Sequence, residues 1–147
     1  MTNKAVYVVY DEECPFCRTY CRLIRIRDAV GNLVLHLCGN ARQWIVAGLG
    51  QQTDIRERDA EFREQGPLPT SQLLDLLDST WAELETTLNQ VKASDLEQTY
   101  AVQVFRESGV SILVHVIEHF SYHTGQITYI TKALKNIDTG YYSDLSL

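Results

Sequence analysis

The sequence predicts an all-α protein, and three observations carry that prediction. Residues 29–48, 70–92 and 109–135 each repeat apolar side chains at i, i+3 and i+4, the period of a helix with one buried face. A long connection rich in charges of both signs, residues 51–69, joins the first of these stretches to the second. The third stretch carries three of the chain's four histidines, His115, His119 and His123. Their spacing of four stacks the rings along one side of a helix, each about 40° round from the last. A short strand and a Cys-x-x-Cys segment precede the helices.

A chain of 147 residues suffices for one domain with a full core and is too short for two of ordinary size. The net charge of -6 excludes the clustered basic surface that nucleic-acid phosphates require. Arg22, Arg25 and Arg27 do cluster, but they read as a solvated helix face. No run approaches the roughly 18 apolar residues that span a bilayer. The N-terminus has neither the basic start nor the apolar core of a signal peptide, so a cytoplasmic protein without membrane or nucleic-acid partners is expected. In that setting four cysteines point to reduced, catalytic or metal-related thiols rather than two disulfides.

Along the chain, residues 5–10 are β-branched and aromatic and read as a buried strand. Asp11, Glu12 and Glu13 break it, Cys14-Pro15-Phe16-Cys17 follows, and Tyr20, Leu23, Ile24 and Ile26 give residues 19–27 a helical period. A thiol at a helix start sits in the partial positive charge of the N-terminus, which favours the thiolate at Cys14. This opening, Val9-Tyr10-Asp11-Glu12-Glu13-Cys14-Pro15-Phe16-Cys17, resembles the start of the DCC family of thiol-disulfide oxidoreductases. The resemblance implies Cys14 as attacking thiolate and Cys17 as resolving thiol. It covers roughly the first 30 residues and then stops, because no strand-like run of the right kind follows Leu35. Residues 1–30 are therefore expected to be a thioredoxin-like β-α fragment, and a helix-capping segment with inert thiols is the alternative.

Asp28 can cap the helix at 29–48, whose apolar side is Val30, Leu33, Val34, Leu37, Ala41, Trp44 and Ile45. His36, Asn40 and Gln43 form a separate polar stripe about 110° away, which by itself reads as a wet face with His36 at the surface. Gly48-Leu49-Gly50 ends the helix, and residues 51–69 are expected in solvent with a short helical turn at 59–64. Thr70 or Ser71 caps the next helix, with Leu73, Leu74, Leu77, Trp81, Leu84 and Leu88 as its core stripe. Ser94 and Asp95 cap a short turn, residues 99–105 make a brief extended crossing, and Ser108 or Gly109 opens the histidine helix. Residues 138–147 form a tail whose Tyr141 and Tyr142 should pack.

On the histidine helix, Ile112, Val116, Phe120, Ile127, Ile130 and Leu134 form a stripe centred within roughly 20° of His123. His119 and His123 should thus face the core, with His115 at its border. Two imidazoles one turn apart on a buried face make a bidentate metal clamp, as in the zinc-binding HExxH helix. This helix does not carry that motif, since Glu118 precedes His119 and points away. A third ligand must come from elsewhere, and the chain offers only one more histidine, His36. The alternative is that the rings are satisfied core or interface residues.

Leu35-His36-Leu37-Cys38-Gly39-Asn40, Arg42-Gln43-Trp44, the run from Asp54 to Phe62, and Glu118-His119-Phe120-Ser121-Tyr122-His123-Thr124-Gly125-Gln126 resemble the DinB/YfiT-like superfamily of metal-binding proteins. The resemblance spans residues 31–147 and implies an up-down four-helix bundle with a long crossover. It also implies a divalent ion, nickel or zinc, on one histidine of the second helix and two of the fourth, here His36, His119 and His123. Some members are thiol transferases using a low-molecular-weight thiol, and others are assigned as metal-dependent hydrolases, so a small-molecule substrate is expected. Asn40, Gln43 and Gln126 would line the site, and no carboxylate stands out as a general base. The first bundle helix is the departure. Either residues 15–27 serve as a shorter one, or a partner subunit covers the exposed face in a homodimer. The readings that stand beside the metal enzyme are a thiol-disulfide oxidoreductase through Cys14 and Cys17, and a non-catalytic metal-binding stress-response bundle.

Overall fold

The computed structural model describes residues 29–64, 67–138, 140 and 143. The expected strand at 5–10, the Cys14/Cys17 motif and the helix at 19–27 lie outside the described residues, as do Tyr141 and Tyr142. Helix α1 (Ala29–Ala41) runs directly into a π-helical segment, Arg42–Leu49. A short α2 (Arg58–Arg63), the long α3 (Thr70–Leu88), one turn of α4 (Ala93–Leu96), the strands β1 (Thr99–Val102) and β2 (Phe105–Ser108), and α5 (Gly109–Lys135) follow. The described chain is therefore mainly helical, with one two-stranded antiparallel ribbon.

The apolar side expected for residues 29–48 is buried at Leu33, Val34, Leu37 and Ala41 of α1 and at Trp44 and Ile45 of the π-helical segment, with Val30 half-buried. The π-helical segment closes with the Gly50 amide donating 2.7 Å to the Ile45 carbonyl, five residues back, in place of the usual four. Together these two segments form the spine on which α2, α3, α5 and the ribbon all pack. The core cluster joins Ala41, Trp44, Ile45 and Leu49 of the spine to Leu84 of α3, Val102 of β1, and Ile112 and Val116 of α5.

The extended crossing expected at 99–105 is one arm of a hairpin, with Thr99 opposite Ser108 and Val102 opposite Phe105. The buried Val102 lies so close to the spine that a Cβ on Gly48 would come within 2.5 Å of its Cγ2. Gly48 is therefore needed for the ribbon's approach. The Ser108 hydroxyl accepts the Ser111 amide at 3.1 Å and caps α5 as expected. Asn136, in the left-handed conformation with φ 52°, ends α5 after Lys135.

Helix α3 departs from its predicted extent and face. It ends at Leu88 rather than near residue 92, because the Asp95 carboxylate accepts the Lys92 amide at 2.8 Å and starts a new turn there. The side it buries is Thr80, Leu84 and Thr87, while Leu74, Trp81 and Leu88 of the expected stripe are exposed. The threonines can face inward because their hydroxyls bond to carbonyls of their own helix, Thr80 to Leu76 at 2.6 Å and Thr87 to Glu83 at 2.9 Å. Trp81, Leu84 and Leu88 instead line a groove of about 700 Å³ with Leu113, Val116, Ile117 and Phe120 of α5. The apolar stripe of α5 is buried at Ile112 and Val116 and ends exposed at Leu134. Among the described residues no helix is long and apolar enough to cross a membrane.

Candidate metal centre

The site is built on the polar stripe of α1. That stripe is not wet: His36 and Asn40 are 7% and 4% exposed and Gln43 is half-buried, and Asn32, one turn before His36, is 2% exposed. What covers it is the charged connection, which folds back as α2 and the loop before it. The Asn32 amide donates to the Glu61 carbonyl at 2.5 Å and to the Glu64 carbonyl at 3.1 Å, pinning the end of α2. One turn on, His36 Nδ1 lies 2.9 Å from Glu61 Oε2. Arg56 reaches the same carboxylate twice, Nε to Oε1 at 2.7 Å and Nη2 to Oε2 at 2.8 Å. Gln43 ties down the rest of the loop, accepting from Arg56 Nη1 at 2.8 Å and donating to Asp54 Oδ2 at 2.7 Å.

The expectation that this connection lies in solvent therefore fails at Arg56 and Glu61, whose side chains are 4% and 10% exposed. Charges of opposite sign can be buried when they neutralise one another and fill each other's hydrogen bonds. Burial pushes the Glu61 carboxyl up, but the hydrogen bonds and charge of Arg56 and His36 outweigh it. The net result is a carboxyl below its ordinary range, ionised at neutral pH.

Beyond Nδ1, the other edge of the His36 ring points at α5. His36 Nε2 lies 3.2 Å from His119 Nε2, and His119 Nε2 lies 3.2 Å from His123 Nε2. All three donor atoms lie within 4.8 Å of one another. Nitrogens bound about 2.1 Å from a shared cation are separated by about 3.0 Å at right angles and about 3.4 Å in a tetrahedron, so the 3.2 Å edges fit an ion. His123 is oriented as His36 is: its Nδ1 lies 2.6 Å from Gln126 Oε1, and Gln126 Nε2 donates to the Tyr122 hydroxyl at 3.2 Å. An outer acceptor on Nδ1 turns the lone pair of Nε2 towards the centre. His119 Nδ1 is buried with no such acceptor.

Burial, with the neighbouring imidazoles and Arg56 adding to it, lowers the His119 pKa to about 3. Burial lowers His123 as well, against a partial rise from its bond to Gln126. Both rings are neutral at pH 7 and able to coordinate.

Of the three equally spaced histidines, His115 is the one left out. Its ring stacks on Trp44 with centroids 3.8 Å apart, and its Nε2 lies 3.4 Å from Asn40 Nδ2. Asn40 thus serves His115, Gln43 serves the crossover, and Gln126 alone of the three expected polar neighbours bonds to a ligand histidine. Glu118 is exposed, as its place on the helix predicts.

The residues that sequence reasoning missed are Asn32, Arg56 and Glu61. The available signal was Gly39, a glycine inside a helix, where it costs about 1 kcal/mol relative to alanine unless something packs against it. A Cβ there would meet Glu61 Oε1 at 2.1 Å.

No curated protein and no solved structure matches the sequence. Residues 17–145, which include every residue of the site just described, match the family described as protein of unknown function (DUF1572), and the chain belongs to that family.

Proposed function

We propose that the chain binds one divalent cation, zinc or nickel, between His36, His119 and His123, and acts as a metal-dependent enzyme of the hydrolase or thiol-transferase kind on a small-molecule substrate. The observation that carries the reading is the convergence of three imidazole Nε2 atoms from two helices. The DinB-like four-helix bundle belongs to the same proposal. Helices α1, α3 and α5 would be its second, third and fourth members and α2 part of the crossover. Exposed Trp81 and Ile117, beside the groove between α3 and α5, support a second copy of the chain as a partner.

The chain's own residues do three things in this reading. His36, His119 and His123 hold the ion and, being three neutral ligands, leave positions open, as catalytic sites do and closed structural sites do not. Gln126 orients the His123 ring from outside. Phe62 packs its ring 5.0 Å from His36 on the side of the centre facing α2. A divalent cation bound there supplies Lewis acidity, polarising a carbonyl or lowering the pKa of a water or thiol beside it. Cys14 and Cys17, the basis of the oxidoreductase reading, lie outside the described residues.

Elemental analysis of the purified protein tests the metal, with wild type beside His119→Ala after a chelator wash and re-addition of zinc or nickel. One ion per wild-type chain and none in the variant is expected. Equal metal in both refutes the site. Turnover of ester, amide or thiol-acceptor substrates that is lost on chelation supports the enzyme, and one bound ion with no turnover means a binding bundle without catalysis.

A further inference from the structure

We infer that Glu61 is the positioning carboxylate of this centre: it selects the His36 tautomer that can bind a cation, in a pocket that exists because residue 39 has no side chain. The inference rests on the proposed metal reading and adds to it a residue from outside the histidine set.

Two partners compete for His36 Nδ1. Glu61 Oε2 lies 2.9 Å away and Arg56 Nη2 lies 3.1 Å away. If Nδ1 carries the proton it donates to Glu61, and Nε2 faces His119 with its lone pair free. If Nδ1 is bare it accepts from Arg56, and the proton sits on Nε2, where it points into the triad and blocks coordination.

The structure favours the first arrangement. Glu61 Oε2 is the nearer of the two partners and an ionised acceptor, and although it already accepts one of the two Arg56 Nη2 hydrogens at 2.8 Å it can accept a second donor. The carboxylate's place is also defended from several sides. Arg56 grips it through both oxygens, and Asn32 holds the Glu61 backbone from one turn earlier on α1. Gly39 leaves the space: a Cβ would overlap Glu61 Oε1 at 2.1 Å and crowd Arg56 Nε at 3.0 Å. An ion pair with only a structural role would not need the contact with the far edge of a ligand ring. Outer partners of metal-bound histidines act in this way, and their loss typically weakens metal binding about 10- to 100-fold.

The test combines two measurements on wild type, Glu61→Ala, Glu61→Gln, Gly39→Ala and His119→Ala. Long-range proton–nitrogen NMR of the imidazoles in metal-free protein reads the His36 tautomer, and competition with a chromophoric chelator reads zinc affinity. Wild type should show the proton on Nδ1. Glu61→Ala and Gly39→Ala should move it to Nε2 and weaken zinc binding about 10- to 100-fold. Glu61→Gln, which keeps an acceptor oxygen, should recover part of both.

If Glu61→Ala and Gly39→Ala bind zinc within roughly threefold of wild type while His119→Ala does not bind, the outer role is refuted and the metal site stands. If wild type binds no better than His119→Ala, the metal reading falls. Wild-type His36 protonated on Nε2 refutes the inference by itself. Should Glu61→Ala not fold by circular dichroism, Gly39→Ala and Glu61→Gln decide the matter alone.

Discussion

Replacing Arg56 by methionine keeps the aliphatic bulk of the side chain and removes the charge that Glu61 is buried against. Exposed ion pairs contribute about 0–1 kcal/mol, because water screens them. This pair is different: the two side chains are 4% and 10% exposed, and the guanidinium makes two bonds of 2.7 and 2.8 Å to the carboxylate. Taking one partner from a buried pair costs about 3–5 kcal/mol, since the remaining charge stays desolvated. Glu61 retains the contact with His36 Nδ1 and can take up a proton once its partner is gone, so the loss should fall at the lower end, about 3 kcal/mol at pH 7.

In a domain of this size that is a fall in Tm of roughly 6–12 °C. Urea unfolding followed by tryptophan fluorescence, on metal-free wild type and Arg56→Met, reads the difference. The pH dependence gives a second check. The folded pKa of Glu61 lies below its unfolded value of 4.5, so the stability it contributes is present above pH 4.5 and is lost as pH falls through the folded value. The gap between wild type and variant should therefore narrow in acid. A gap under about 1 kcal/mol at pH 7, or one that does not narrow, would mean that the pair behaves as a surface ion pair.

Metal-free protein should lose stability as pH falls below 6.5, because the unfolded chain protonates His119 at that value and the folded chain only at about 3. The slope is at most about 1.4 kcal/mol per pH unit for this ring, reduced by its partial exposure, and urea midpoints at pH 7, 6 and 5 measure it. Zinc at about 100 times its Kd should stabilise wild type by about 2.7 kcal/mol, a rise of roughly 5–11 °C in Tm by scanning fluorimetry. A similar rise in His123→Ala would sink the ligand assignment. His115→Phe should bind as much zinc as wild type, since that ring packs on Trp44 and bonds to Asn40 rather than joining the triad. Sedimentation velocity should show a dimer that Trp81→Glu dissociates, and a monomeric wild type would remove the partner proposed for the groove beside α3.

The histidine helix was legible almost completely. Its cap at Ser108, its end at Lys135 and the inward turn of His123 follow from local spacing, because 3.6 residues per turn decide which side chains share a face. The spine helix was legible on its apolar side and misread on its polar one. His36, Asn40 and Gln43 show the period of a solvated face, and no periodicity distinguishes water from a folded-back loop as the thing that covers it. Helix α3 shows the same limit in reverse. Its leucines and Trp81 mark two apolar edges, and only the position of the spine decides that the Thr80–Leu84–Thr87 edge is the one buried.

The chain's own letters specified roughly where the long helices lie and the pairing of His119 with His123, since both are consequences of distances along one helix. Tertiary structure decided that His36 meets His119 across 83 residues and that Glu61 stands behind His36 across 25. The physical reason is that burial and charge pairing are properties of what lies opposite a side chain. For this site, what lies opposite is a connection whose sequence, taken alone, reads as one more solvated loop.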